Sequence, residues 1–380
     1  MVVDRKRNGS AITSQNYFAG LGEFGAARSS LSEARSKLSW RAFEYLLGEL
    51  NRAVPDILWR GHRVYAVDGC HLSLPASQEI LKEYPRAQSE AKRTHYPKMM
   101  LVTATNVLSG VPYAARTAAG ESGSERALLG SMLDEFKLGD IVLADRGFDG
   151  AESLHEIDKR GLYFIVRMKT GDTTAMPIRG FIASGKRSAI VEFFDPSGGR
   201  VQVRLIRNGR DHKKRVIVVA TNLIGDAYPA KDIYRLYLKR WRIETMYYRV
   251  KELLQAQTFY ARSLNGVMQE LWANFFVLGL TAHVVGQSRL VSKSLKVPNF
   301  KNAVEVVRRH LHSAVSLKVT NGEANRIAEL MIDQVRAVVV RQQPGRKNPR
   351  LSKQTINRWT IGRPLGKDRP KNRLKRASVS

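Results

Sequence analysis

Cysteine is almost missing from this chain. Cys70 is the single one in 380 residues. One thiol excludes an intramolecular disulfide and any cysteine-based zinc finger. Acids are also scarce beside bases, with 34 Asp and Glu against 63 Lys and Arg and a formal net charge of +29. Such an excess repels itself in a compact fold unless a polyanion lies close by. Nucleic acid fits better than a membrane surface or a ribosomal partner, because Lys and Arg release its condensed counterions. No apolar run follows Met1-Val2-Val3-Asp4-Arg5 that could serve as a signal peptide. The most apolar stretch, Leu271 to Val285, is interrupted by Asn274 and His283. It falls short of the roughly 20 apolar residues of a spanning helix. A buried helix and a soluble, cytoplasmic protein without membrane contact are therefore expected. No phosphate loop is present, since Gly120-Glu121-Ser122-Gly123 lacks the Gly-Lys-Ser/Thr ending, and no internal repeat is visible.

What is present suffices for a sizeable core, with 43% hydrophobic residues. Residues 1–60 read as a helical N-terminal region. Ser39 is the expected N-cap of a helix with Phe43, Leu46, Leu47 and Leu50 on one face, ended by Pro55. Residues 61–170 alternate strands and helices in the manner of a mixed α/β sheet. Val64 to Val67 is a strand stopping at Asp68-Gly69. Met99 to Thr105 and Val111 to Ala115 follow, with a turn at Ser109-Gly110. Ser124 caps a helix that carries Ala127 through Phe136, Ile141 to Ala144 is a strand stopping at Asp145, and a short helix near 150–159 leads to a strand from Tyr163 to Met168. Residues 171–220 read as a β-rich insertion, with a hairpin around Pro196-Ser197-Gly198-Gly199 and a further strand from Arg215 to Ala220. Residues 221–290 return to long helices, the first from Lys231 to about Gln257. Residues 291–340 form a helical C-terminal region. Residues 341–380 hold thirteen Lys and Arg against one acid, Asp368, and should order only where DNA neutralises them.

Metal-assisted phosphodiester chemistry needs a few carboxylates that meet in space, around two ions about 3.5–4 Å apart. Asp68 and Asp145 each close an apolar strand, and sites in open α/β sheets gather at the carboxyl ends of strands. Taken singly, Asp68-Gly69 could be a hairpin turn and Asp145 a helix cap. The third group is a helix stripe: Tyr237, Arg240, Glu244 and Lys251 share an arc of about 60°, beside an apolar face of Leu236, Ile243, Met246, Val250 and Leu254. An i,i+4 pair of Arg240 and Glu244 also suits a solvated face. That alternative leaves the aromatic, and the basic residues Arg235, Lys239, Arg242 and Arg249 around it, without a reason. His71 and Cys70 lack the partners of a zinc site. Asp149 reads as a cap, and Glu121 and Glu125 as acids opening a helix, where the dipole favours them.

The run Tyr237-x2-Arg240-x3-Glu244-x6-Lys251 resembles the signature of bacterial transposases of the insertion sequence 4 type. Asp68-Gly69 after its strand is similar to that family's first catalytic motif, and Leu143-Ala144-Asp145-Arg146-Gly147-Phe148 to its second. The resemblance covers roughly residues 60 to 260. It implies a ribonuclease H-like core with a β-strand insertion between the second Asp and the Glu, in which Asp68, Asp145 and Glu244 are catalytic and hold two Mg²⁺ ions, with Mn²⁺ as a substitute. It implies that Tyr237, Arg240, Lys251 and Arg146 contact DNA, and that a homodimer pairs two transposon ends on the bacterial nucleoid. Double-stranded DNA, as terminal inverted repeats and as target, is the implied partner. The implied reaction is hydrolysis at the transposon end, followed by attack of the freed 3′-hydroxyl on target DNA. No covalent protein intermediate is needed, so Tyr237 has no role as a nucleophile of the tyrosine-recombinase type. Related enzymes use an insertion aromatic to hold a flipped base. There is no Trp between Asp145 and Arg240, which leaves Phe181, Phe193, Phe194 or Tyr228 for stacking. A nuclease or resolvase on the same core, or a DNA-binding protein without catalysis, are the competing expectations.

Overall fold

A computed structural model describes residues 28–86, 88–89, 92–93, 96–120, 123–171, 174–210, 215–250, 259–291, 297–314 and 319–340. The basic segment 341–380, Lys251 and Glu121 lie outside them.

Eight strands form one sheet: β1 (Val64–Ser73), β2 (Lys98–Asn106), β3 (Pro112–Ala119), β4 (Ile141–Ala144), β5 (Tyr163–Arg167), β6 (Ser188–Phe194), β7 (Arg200–Arg210) and β8 (Val216–Thr221). Their spatial order is β3-β2-β1-β4-β5-β8-β7-β6. β1, β4 and β5 run parallel to one another, and every other pairing is antiparallel. The mixed α/β class expected from the alternation of elements is thus present. Two expectations change. β1 does not stop at Asp68 but continues to Ser73, because β2 stays paired along it, with Asp68 opposite Thr103. The β-rich segment is an insertion in sequence only. In space its strands continue the main sheet, since β8 pairs with β5 through Val219–Arg167 and Thr221–Ile165.

The helices are α1 (Arg28–Lys37), α2 (Arg41–Ala53), α3 (Gln78–Glu83), α4 (Glu125–Gly130), α5 (Ala151–Lys159), α6 (Met176–Ala183), α7 (Ala230–Leu238), α8 (Arg242–Tyr248), α9 (Leu264–Val291), α10 (Phe300–Ala314) and α11 (Asn321–Ala337). Side chains alternate across a strand, so the sheet feeds two cores. Val64, Ala66, Ile141, Leu143 and Ile165 pack on the face covered by α2, α7, α8 and α9. Tyr65, Val67, Val142, Ala144, Phe164 and Val166 pack on the other, against Leu129 of α4, Leu154 and Ile157 of α5 and Phe181 of α6. Leu271, Phe275 and Val277 are fully buried, as expected for this apolar helix, and among the described residues no helix is long and apolar enough to cross a membrane.

Local chemistry explains where elements differ from expectation. Ser124 caps α4 through its Oγ, which accepts from the amide of Ala127. That helix lasts only to Gly130, and a 3-10 turn at Leu133–Glu135 takes up the remaining apolar positions. α2 begins at Arg41, with Trp40 as its cap residue instead of Ser39, while Leu46 of the predicted apolar face is exposed. The helix expected from Lys231 to Gln257 is broken by a 3-10 turn at Lys239–Trp241. Three residues turning by about 120° instead of 100° rotate α8 by roughly 60° relative to α7.

Candidate active site

The site starts from register. β1 and β4 are parallel, with Val64 beside Ile141 and Ala66 beside Leu143. Two residues further on, Asp68 is level with Asp145, just where β4 has ended. A buried pair locks this alignment at the other end of the strands: Arg63 Nε and Nη2 donate to the two carboxylate oxygens of Asp140, each at 2.9 Å. By the alternation of the strands, Asp68 and Asp145 belong to the face covered by α7 and α8.

Both aspartates have one oxygen anchored by the backbone. The amide of Gly69 donates to Asp68 Oδ1 at 2.9 Å, and the amide of Gly147 donates to Asp145 Oδ1 at 2.7 Å. Asp145 therefore also caps the 3-10 turn Arg146–Phe148. Anchoring one oxygen fixes the carboxylate plane and leaves the second for another ligand. Burial pushes the Asp68 carboxyl up to about 6. The Gly69 amide and the Arg240 charge oppose the rise, and the charges of Asp145 and Glu125 add to it.

α8 is tied to the strand directly above this point. Thr103 Oγ1 donates to the Tyr247 hydroxyl at 2.9 Å, and that hydroxyl donates to the backbone oxygen of Asp68. Ile243, Met246 and Val250 bury the inner face of the same segment. Arg240 then lies between two acids. Its Nη2 donates to Glu244 Oε1 at 3.1 Å, and its Nη1 is 3.8 Å from Asp68 Oδ2. Arg240 is only 7% exposed, whereas Glu244 faces solvent. Glu244 thus reaches the aspartates through a guanidinium and not directly. Among the described residues, no three His, Cys, Asp or Glu side chains converge closely enough to hold a metal ion.

The other predicted residues are spread around this centre. Tyr237 is buried beside Arg240, whose charge opposes the rise that burial gives its phenol, which places it inside the site's support instead of on its surface. The rotation introduced by the 3-10 turn separates it from Glu244 by roughly 40° around the axis. Arg146 is exposed beside Asp145. Of the aromatics considered for stacking, Phe181 and Phe193 are buried, Tyr228 packs against Trp59 and His62, and Phe194 is 63% exposed.

Sequence reasoning sets Glu125 aside as a helix-opening acid. It does stand in the first turn of α4, yet its carboxylate also lies against Gly69 and Gly147, the residues that anchor the two aspartates. Burial, with the Asp145 charge second, raises its pKa, and His71 opposes the rise. Only the presence of glycine at both 69 and 147 could have signalled this. Asp149 is no cap of α5, whose N-cap is Gly150. It pairs instead with Arg126 and Lys169, each at 3.2 Å.

The family model described as transposase DDE domain matches residues 59–280, more than half of the chain. The transposase InsG of insertion sequence element IS4 from Escherichia coli strain K12 is 24% identical over 330 residues, covering 81% of this chain and 71% of the relative. Among solved structures, Ciona intestinalis endonuclease V bound to an inosine-containing DNA covers 52% of this chain and 87% of its own at 11% identity and a TM-score of 0.20. With Asp68 and Asp145 level on parallel strands inside the matched segment, the chain belongs to the DDE transposase family, whose members are metal-dependent enzymes that cut and join DNA.

Proposed function

We propose that Asp68, Asp145 and Glu244 are the three catalytic acids of this transposase, and that together they hold two Mg²⁺ ions, with Mn²⁺ able to substitute. The observation that carries this reading is the β1–β4 register, which brings Asp68 level with Asp145 under a helix presenting Glu244. The donor set suits hard divalent cations, because it offers carboxylate oxygens only and a desolvated acid that lacks a full counter-charge. Bound there, the ions would supply Lewis-acid activation of the attacking oxygen and stabilisation of the leaving one.

The protein's own residues then have distinct tasks. Gly69 and Gly147 amides orient the aspartates. Tyr247 sets the height of α8 over β1. Arg240 would present a planar fork to a DNA phosphate, which would release Glu244 to serve as a metal ligand. Tyr237 holds that fork from below. Arg146 and Lys251 would add phosphate contacts. Strand order β3-β2-β1-β4-β5, with an antiparallel triplet followed by parallel neighbours, supports a ribonuclease H-like core. We further assign residues 1–60 to recognition of transposon ends, a homodimer to the pairing of two terminal inverted repeats, and the bacterial cytoplasm to its site of action on double-stranded target DNA.

A strand-transfer assay with pre-cut ends and Mg²⁺ tests the assignment. The wild-type protein should join the 3′-hydroxyl to target DNA. Asp145→Asn and Glu244→Gln should each lose at least about a hundredfold in rate, with DNA binding retained. Continued joining by Glu244→Gln would remove that residue from the triad.

A further inference from the structure

Glu125 lies on α4, on the face of the sheet opposite α8, and its carboxylate comes to rest against backbone where two side chains are missing. A Cβ added to Gly69 would collide with Glu125 Oε1 and lie 2.6 Å from its Cδ; a Cβ added to Gly147 would lie 3.5 Å from Oε2. The two oxygens of one acid thus face the two residues whose amides anchor Asp68 and Asp145. Any larger residue at position 69 would drive the charge away. The helix-opening role does not require this: a first-turn acid serves the dipole from solvent, with no need of two bare backbones.

We propose that Glu125 is a fourth carboxylate of the active site, a positioning residue that acts on the cation through water and draws it to Asp68 and Asp145 before DNA is bound. This inference rests on the reading that those two aspartates are metal ligands. It assigns the acids an order. In the DNA-free protein Glu244 is held by Arg240, so the entering cation meets Asp68, Asp145 and the charge of Glu125. Mg²⁺ keeps several of its waters when it binds protein, and a carboxylate beyond direct reach can therefore accept hydrogen bonds from them. Glu244 completes the set later, when DNA phosphate takes over Arg240.

Calorimetric titration of the full-length, DNA-free protein with Mn²⁺ decides it. Glu125→Gln should weaken Mn²⁺ binding about tenfold, in the range typical for residues that act on a metal through its ligands. Glu244→Gln should change it by less than about twofold. Gly69→Ala, which displaces the Glu125 carboxylate, should reproduce the loss, and adding it to Glu125→Gln should cost little more. Thermal melting without metal separates this role from a dipole role: a lost first-turn acid lowers the melting temperature, whereas relief of like charges leaves it unchanged or raised. Wild-type Mn²⁺ affinity in Glu125→Gln, together with loss of binding in Asp145→Asn, overturns the inference alone. Wild-type affinity in Asp145→Asn as well would overturn the aspartate reading beneath it.

Discussion

At Asp68 burial and a neighbouring acid outweigh the opposing Gly69 amide and the Arg240 guanidinium 3.8 Å away, and the result is a carboxyl raised to about 6 against an ordinary 3.8. A carboxyl whose folded pKa is raised disfavours the folded state as pH climbs from the unfolded value through the folded one, and the penalty is complete above about 6. Asp68→Asn should therefore abolish DNA cleavage and yet melt higher than wild type at pH 7.5 without metal. The gain should vanish near pH 4, where both forms are neutral. Adding Mg²⁺ should stabilise the wild type and not the variant. Equal melting temperatures at pH 7.5 would mean that the acid is not electrostatically strained. At this scale the closeness of the two aspartates was legible because each follows an apolar run, although β1 continues past Asp68 to Ser73. Glu125 was not, because spacing along the chain cannot report that a helix start lies against Gly69 and Gly147. Nor could periodicity foresee that Arg240 would hold Glu244 away from the aspartates.

Among the elements, α8 is tied to β1 through the hydroxyl of Tyr247. Tyr247 receives from Thr103 and donates to the Asp68 carbonyl, so α8, a neighbouring strand and β1 meet at one atom. Tyr247→Phe keeps the ring in its buried place and deletes that junction. The expected cost is about 1–3 kcal/mol in stability, the range for a buried group left unsatisfied. The rate of strand joining should fall as well, because Glu244 and Arg240 lose their fixed height, while affinity for DNA stays near wild type. An unchanged joining rate would show that helix packing through Ile243 and Met246 alone suffices. The order of strands from Val64 to Arg167, with α4 and α5 among them, emerged from apolar runs and turn residues, since each of these elements is local, whereas the short helix α3 did not. The union of β8 with β5 did not, because an edge pairing between Val219 and Arg167 leaves no mark in either strand's own pattern. The 3-10 turn at Lys239–Trp241 was equally hidden, since three residues of tighter winding preserve a helical spacing while rotating α8 about the axis.

At the level of the whole molecule, charge is distributed unevenly between two stretches of chain. Residues 341–380 carry thirteen Lys and Arg and one acid, a net +12, out of +29 for all 380 residues, which leaves +17 on residues 1–340 (29 − 12). The two stretches should accordingly contribute to different terms of DNA binding. Phosphate contacts made by the basic segment are independent of base sequence, and each contributes about −0.9 to the slope of log K against log salt. Removing residues 341–380 should flatten that slope and weaken binding to random duplex DNA most at low salt. It should leave the melting temperature of the rest unchanged, together with the preference for terminal repeats over random sequence. Filter or anisotropy titrations between about 50 and 200 mM salt measure both quantities. A slope equal to that of the full chain would mean that the cations of residues 1–340 alone meet the phosphates; loss of preference for the terminal repeats would mean that recognition of the ends resides in the basic segment and not in residues 1–60.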